Sequence, residues 1–400
     1  MVATRIFYIF GGKLKKELTI LGSTGSIGLN ALSIPAMEEK FSMLAFVAGQ
    51  DVNTLSRQCM KFKPKYAVIS DTQMYGELKK NLFGTKIEVK AGYDEINEIA
   101  SKSSDVVLSA ISGSAGIEPT YQALNRTEKL AIANKESIVV AGSLLFDKKI
   151  NKSTNIIPVD SEHNAIHKLL NYVNYKNLKT ITLTASGGPF LNTGIKDLEN
   201  VTLEEALKHP TWVMGKKITI DSAALINKGL ELIEATYLFN MCHKNITILV
   251  HPQSLIHAMV SMHDGTTLSL MSKADMRIPI SDAIFDSDNA PIFGNLETSD
   301  IKNLTFYDLD NEKFPTINMA REAIDNGVSS IITYNAASEV AVENFISKKI
   351  SFLDIYKVIK KSLDHSKKNK QKVLKNNIEH ILSLNQKAKD FALTVIDEAL

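Results

Sequence analysis

The sequence predicts an α/β protein with a doubly wound, mostly parallel sheet at its N-terminus, a second α/β unit after it, and a helical C-terminal region. Three observations carry this expectation. From Glu17 to about Ser161 short, continuous apolar runs alternate with helical stretches; between about Thr180 and Leu270 a second set of apolar runs appears; and from about Pro315 onward the pattern is helical. At 400 residues the chain also exceeds what one hydrophobic core usually serves, so two or three domains are expected.

In the first region Leu18–Leu21, Met43–Val47, Tyr66–Ile69, Val106–Leu108, Leu130–Ala133 and Ile156–Val159 read as buried strands. Their apolar character is continuous rather than alternating, which means cover on both faces and therefore a parallel sheet. Helices over Thr54–Phe62 and Ile117–Leu124 fit between them. In the second region Thr180–Thr184, Ile246–Val250, Leu255–Val260 and Thr267–Leu270 read as strands, and Thr202 with Glu205 forms a capping box that opens a helix. The polar stretch Phe293–Asp310 reads as a linker. Beyond it Ser351 caps one helix, and Ile378, Ile381 and Leu382 mark the apolar stripe of the last. Lys367–Lys375 reads as a solvated interhelix loop. The expected divisions are 1–160, 161–292, a linker over 293–314, and 315–400.

Composition narrows the class. With 44% hydrophobic and 22% charged residues the chain is an ordinary globular one, and 46 basic against 44 acidic residues offer no electrostatic case for nucleic acid or an acidic membrane. Cys59 and Cys242 lie far apart with no metal-binding spacing, the pattern of a reduced cytoplasmic protein. No apolar run approaches the roughly 20 residues that span a bilayer. Ile6-Phe7-Tyr8-Ile9-Phe10 is too short for a signal segment, so residues 1–16 read as a tail.

Leu18-Thr-Ile-Leu-Gly22-Ser-Thr-Gly25-Ser-Ile-Gly28 places a buried strand directly before three glycines spaced by three. Glycines there permit a tight turn and close approach of backbone to a pyrophosphate, and the next helix aims its amides at the phosphates. This is a Rossmann-like dinucleotide site, with Thr24 and Ser26 adding hydroxyl donors; the alternative is a glycine turn without a ligand. Pro35 should kink or end that first helix.

Carboxylates and phosphate-type donors follow in the middle of the chain. Asp160 and Glu162, at i and i+2 after a strand, should project to one side of an extended segment and could share Mg²⁺ or Mn²⁺; acidic residues also follow strands without any metal. Ser222, Asn227, Lys228 and Glu231 fall in ten residues of an expected helix start, offering phosphate donors and a third carboxylate, or simply the polar face of an amphipathic helix. Ser186-Gly187-Gly188 is a backbone-exposing loop suited to an anion, or an ordinary turn. His209-Pro-Thr-Trp212-Val-Met214-Gly215 has the mix expected of a lid, with a partly buried structural tryptophan as the alternative.

Taken together these segments resemble the 1-deoxy-D-xylulose 5-phosphate reductoisomerases. The matching stretches are LGSTGSIG at 21–28, SAISGSAGIEPT at 109–120, ANKESIV at 133–139, PVDSEHNAI at 158–166, SGGPF at 186–190, HPTWVMGKKITIDSAALINKGLELIEA at 209–235, VHPQSLIHAMV at 250–260 and DMRIPI at 275–280. The resemblance implies three domains in a homodimer, NADPH and Mg²⁺, Mn²⁺ or Co²⁺ as cofactors, and a small phosphorylated sugar as substrate. It places metal ligands at Asp160, Glu162 and Glu231. Substrate and phosphate contacts fall at Ser161, Glu162, Ser186, His209, Trp212, Ser222, Asn227, Lys228 and Glu231. Dinucleotide contacts fall at Thr24, Gly25, Ser26, Ile27, Gly49, Gln50, Asn134, Lys135, Glu136 and Gly215, with His257 in a further motif near the site.

The implied reaction breaks and remakes a carbon–carbon bond, by retro-aldol and aldol steps, and NADPH reduces the resulting aldehyde to 2-C-methyl-D-erythritol 4-phosphate. A cation chelating the substrate's carbonyl and hydroxyl would act as Lewis acid. Lys135 and metal-bound water are the two candidate proton carriers. One departure stands out: the family's basic residue and Asn after the second strand are Gln50 and Asp51 here, and a carboxylate would repel a 2′-phosphate or accept from a ribose hydroxyl. Two other readings compete. A relative that reduces another phosphosugar without rearrangement would need no metal triad, and a non-catalytic dinucleotide sensor should have lost the carboxylates.

Overall fold

The computed structural model describes residues 15–286, 291, 293–369 and 377–399. Most of the expected N-terminal tail therefore lies outside the described residues, as does the greater part of the lysine-rich loop. The first sheet is fully parallel and contains β1 (Lys16–Leu21), β2 (Phe41–Ala48), β3 (Tyr66–Ile69), β4 (Glu88–Ala91), β5 (Ser104–Ser109), β6 (Thr127–Ile132) and β7 (Asn155–Pro158) in the order β4-β3-β2-β1-β5-β6-β7. Alternate side chains of each strand feed two cores: Leu18, Ile20, Val106 and Leu108 enter one, while Leu21 and Val107 enter the other. That two-sided burial is why the sequence shows continuous apolar runs.

Strand order reverses where β1 pairs with both β2 and β5, and a crevice opens there beyond the strands' carboxyl ends. The glycine turn fills it. Gly22 has φ +96°, and a Cβ on it would lie 2.5 Å from the Ala110 carbonyl oxygen, so only glycine lets the β1 and β5 turns approach this closely. The following helix, Ser26–Ser33, stops as expected before Pro35: Ile34 is driven into extended backbone at ψ 128° by the proline that follows it.

The second sheet contains β8 (Leu178–Ala185), β9 (Ile246–Val250), β10 (Ile256–Met262) and β11 (Thr267–Met271), in the order β11-β10-β8-β9. It is mixed: β8 and β9 are parallel, whereas β10 runs antiparallel to both β8 and β11. The capping boxes at Thr202 and Ser351 are both formed. The C-terminal helix Val328–Ile346 packs against Phe352–Lys368, Ile378–Ala399 and, from the first unit, Lys135–Leu145. Its residues Tyr334, Ala337 and Val340 share one core with Ile181, Leu183 and Val260 of the second sheet.

Two local expectations need correction. Asp160 and Glu162 do not lie on an extended segment; Asp160 is the N-cap of the helix Ser161–Leu170 and Glu162 sits in its first turn. The segment around Ser222–Glu231 is not one helix start. Helix Lys216–Ala223 ends, Leu225 takes a left-handed φ of 52°, and helix Ile226–Leu238 begins. A bulky residue with positive φ is strained, and its buried side chain holds the break in place. The stretch expected to link the units, Phe293–Asp310, packs as it passes: Tyr307 is bound to Val250 through two 2.9 Å backbone hydrogen bonds, and Phe306 stacks on His251 at 4.7 Å. This stretch is pinned to the second sheet.

Candidate functional site

One cavity receives side chains from both halves of the chain: Ser26 and Ile27 from the glycine turn, Lys135 after β6, Asp160 and Glu162 after β7, and Ser186 after β8. Ser222, Asn227, Lys228 and Glu231 line its floor, and the segment His209–Gly215 borders it. The helix break at Leu225 matters here, because it turns Ser222 and Asn227, from two separate helices, toward the same space.

Asp160, Glu162 and Glu231 each offer an oxygen, and these oxygens lie within 4.8 Å of one another. Two ammonium groups stand among them. Lys135 Nζ is 2.6 Å from Asp160 Oδ2, 2.6 Å from Asn227 Oδ1 and 3.5 Å from Glu231 Oε1. Lys228 Nζ is 2.7 Å from Glu162 Oε1 and also donates to Glu231 Oε2. Asn227 Nδ2 reaches Glu231 Oε1 at 2.5 Å. Only when all three carboxylates are ionised do they exceed the two ammoniums, leaving one negative charge in a buried site. Burial, reinforced by Asp160 and Glu162, pushes the Glu231 carboxyl up to about 8. Burial raises the Asp160 carboxyl, but the Lys135 ammonium, with further help from Lys228 and its other neighbours, more than offsets that and holds it well below the usual carboxylate range. Hard oxygen donors, close convergence and a third carboxylate that a cation can ionise fit a divalent cation.

A second layer lies behind this cluster. His163 Nε2 donates to the Glu231 backbone carbonyl at 2.9 Å, and its Nδ1 lies 3.5 Å from Glu234 Oε2. Burial pushes His163 down to about 4, which keeps its ring neutral at pH 7, and pushes the Glu234 carboxyl well above its ordinary value. The sequence reading missed this pair. The available signal was spacing: Asp160 to His163 and Glu231 to Glu234 are both i, i+3 on helices and so share a face. Ser254 and Met276 also line the cavity and were missed, although both fall in segments with recognisable motifs.

Around the anion loop, His209 Nδ1 accepts from the Thr211 and Trp212 amides at 3.1 and 2.9 Å, which puts the ring proton on Nε2, 3.0 Å from Ser186 Oγ. Burial lowers the His209 pKa and keeps the ring neutral. Ser186 Oγ thus accepts from His209 and from the Gly188 amide at 3.3 Å, leaving its own proton free to donate. A Cβ on Gly188 would lie 3.1 Å from the Ser222 carbonyl oxygen, so glycine brings this loop against Ser222. Trp212 is half-buried, its ring 6.3 Å from that of His257, whereas Val213 is 96% exposed. His257 Nε2 meets Ser272 Oγ at 2.9 Å.

The expected dinucleotide residues divide. Thr24, Gly25, Ser26 and Ile27 form the turn in the crevice, and Gly49 and Gln50 are exposed beside it after β2. Asp51 is committed locally: it caps the helix Val52–Phe62, accepting from the Thr54 amide at 2.9 Å. Asn134 is buried and holds the Ile111 and Gly113 carbonyls at 2.6 and 3.0 Å. Glu136 is buried in an ion pair with Lys217. Gly215 is exposed at the N-cap of Lys216–Ala223.

Family models match most of the chain: 1-deoxy-D-xylulose 5-phosphate reductoisomerase over residues 18–142, its C-terminal domain over 156–239, and a further DXP reductoisomerase C-terminal domain over 271–391. The chain belongs to the 1-deoxy-D-xylulose 5-phosphate reductoisomerase family. The family member of Thermodesulfovibrio yellowstonii is 44% identical over 386 residues, 96% of this chain and all of that relative. That of Proteus mirabilis is 40% identical over 88% of this chain and 92% of its own length. Among solved structures, the Zymomonas mobilis reductoisomerase in complex with NADPH superposes with a TM-score of 0.88 at 37% identity, covering 97% of this chain and 100% of that one. A DOX-P reductoisomerase in complex with NADPH, fosmidomycin and magnesium gives 0.89 at 33% identity, covering 96% and 98%.

Proposed function

We infer that this chain catalyses the NADPH- and divalent-metal-dependent conversion of 1-deoxy-D-xylulose 5-phosphate into 2-C-methyl-D-erythritol 4-phosphate, as a reductoisomerase of isoprenoid biosynthesis. The observation that carries the reading is the opening of a glycine-turn crevice and a three-carboxylate cluster into one cavity. A bound dinucleotide would supply hydride, and a cation held by Asp160, Glu162 and Glu231 would supply Lewis acidity toward the substrate's carbonyl and hydroxyl. The chain's own residues do the rest. Ser186, with its proton free, joins Ser222, Asn227 and Lys228 as donors to the substrate phosphate. Neutral His209 fixes the Ser186 hydroxyl. The Lys135 ammonium, raised well above its ordinary value because Asp160 and Glu231 outweigh burial, holds a proton at the edge of the reacting centre. Trp212 and Met214 cover the substrate and exclude water.

In this reading residues 1–160 carry the dinucleotide, 161–292 the chemistry, 293–314 a connection and 315–400 a helical support. The enzyme works as a cytoplasmic homodimer. A relative that merely reduces a phosphosugar is disfavoured by the carboxylate cluster, since hydride transfer alone needs no cation. The test is product identification: incubation with 1-deoxy-D-xylulose 5-phosphate, NADPH and Mg²⁺ should yield a branched, methyl-bearing tetritol phosphate by NMR. A straight-chain reduced sugar phosphate would refute the rearrangement.

A further inference from the structure

A partly buried ammonium outside the carboxylate cluster ties together two segments that the proposed reaction uses separately. Lys217, in the first turn of Lys216–Ala223, places Nζ 2.9 Å from Glu136 Oε1 and 2.8 Å from Asp221 Oδ2. The three side chains are 20%, 7% and 2% exposed. Glu136 Oε2 accepts from Asn134 Nδ2 at 3.0 Å, and the same amide holds the Ile111 and Gly113 carbonyls of the turn after β5. Lys217 is thus linked, through two side chains, to the wall of the dinucleotide crevice. On its other side it lies two residues beyond Gly215, where the His209–Gly215 segment ends. The Gly215 carbonyl accepts from the Thr219 amide and hydroxyl, both at 3.0 Å, so the end of that segment is fastened to the helix that carries Lys217. Lys135, beside Glu136, points instead into the carboxylate cluster.

A buried ion pair contributes little stability relative to apolar side chains of similar volume, because desolvation offsets the attraction; its clearest use is to fix one arrangement over others. The arrangement fixed here is that of the segment bordering the substrate relative to the crevice wall. We propose that Lys217 is a positioning residue that couples closure of the His209–Gly215 segment over the substrate to occupation of the dinucleotide crevice, acting through Glu136 and Asn134. This rests on the dinucleotide and substrate sites proposed above.

The test measures fosmidomycin affinity from Trp212 emission, with and without saturating NADPH, in the wild type, Lys217→Met and Asp221→Asn. The wild type should bind fosmidomycin at least about fivefold more tightly when NADPH is present, and NADPH should gain by the same factor when fosmidomycin is present. Lys217→Met should bring that factor close to one while changing the affinity without NADPH by less than about twofold. Asp221→Asn keeps the side chain's shape and should reduce the factor partway; if Lys217→Met does not fold, this variant decides. A factor unchanged from wild type, or equal losses with and without NADPH, would overturn the coupling role and leave a structural tie. Failure of the wild type to bind either ligand would instead overturn the proposed function.

Discussion

Glu231 lies beneath two carboxylates and within reach of two ammoniums, and its chemistry follows from that position. Without a cation its carboxyl keeps its proton up to about pH 8, so the folded protein binds a proton there that the unfolded chain releases near its ordinary value of 4.5. The folded state holds more protons across that window, so this group's contribution to metal-free stability falls as pH rises from about 4.5 to about 8 and then levels off. A cation requires the carboxylate, so Mg²⁺ affinity should rise with pH up to about 8, and binding below that pH should release a proton. Calorimetry in buffers of different ionisation enthalpy checks this. Glu231→Gln imitates the neutral state: its melting temperature without metal should stay within a few degrees of wild type at pH 7, whereas the Mg²⁺-induced rise should disappear. A large loss of metal-free stability in this variant would mean that Glu231 is ionised and held by Lys228. Sequence alone brought Asp160, Glu162 and Glu231 forward as a candidate ligand set. It did not reveal that Lys135 and Lys228 sit among them, since those ammonium positions depend on contacts between residues 25 to 96 positions apart.

Elements were legible in proportion to how strongly their local chemistry dictates them. The strands from β1 to β3 and from β5 to β7 are covered on both faces and announce themselves as apolar runs; β4, Glu-Val-Lys-Ala at the sheet edge, is partly exposed and shows no run to read. The break at Leu225 escaped notice because no glycine or proline marks it; only tertiary packing holds that residue at positive φ. Two predictions belong to this scale. Trp212 is the chain's one tryptophan and is half-buried beside His257, so fosmidomycin should quench or blue-shift its emission as the segment closes. Trp212→Ala should stay folded yet lose turnover; emission indifferent to ligand, with an unfolded variant, would make the residue structural. After β2, Asp51 caps its helix through the Thr54 amide. Asn is an equally good cap, so Asp51→Asn should keep stability while removing a charge near the ribose. Its preference for NADPH over NADH, read as the ratio of kcat/KM values, should rise; an unchanged ratio would show that this loop does not face the 2′-phosphate.

At the scale of the whole molecule, the layout follows from where strands end. The first sheet delivers its glycine turn, Lys135 and Asp160 at the carboxyl ends of β1, β6 and β7, and β8 of the second sheet ends at Ser186 on the opposite wall. The helices of the C-terminal region share a core with the second sheet and also pack on Lys135–Leu145, so they brace both walls against one another. The strand pattern foretold two sheets and a helical end. It could not foretell this bracing, because the buried faces of Val328–Ile346 point in several directions at once and leave no single stripe to read. The proposed chemistry depends on the two walls sharing a cation. The most direct measurement is NADPH oxidation driven by 1-deoxy-D-xylulose 5-phosphate, followed before chelation, after EDTA, and after Mg²⁺ is restored. Oxidation should require the sugar phosphate, stop with EDTA and return with Mg²⁺. Oxidation that continues undiminished in EDTA would mean that Asp160, Glu162 and Glu231 hold no cation during the reaction.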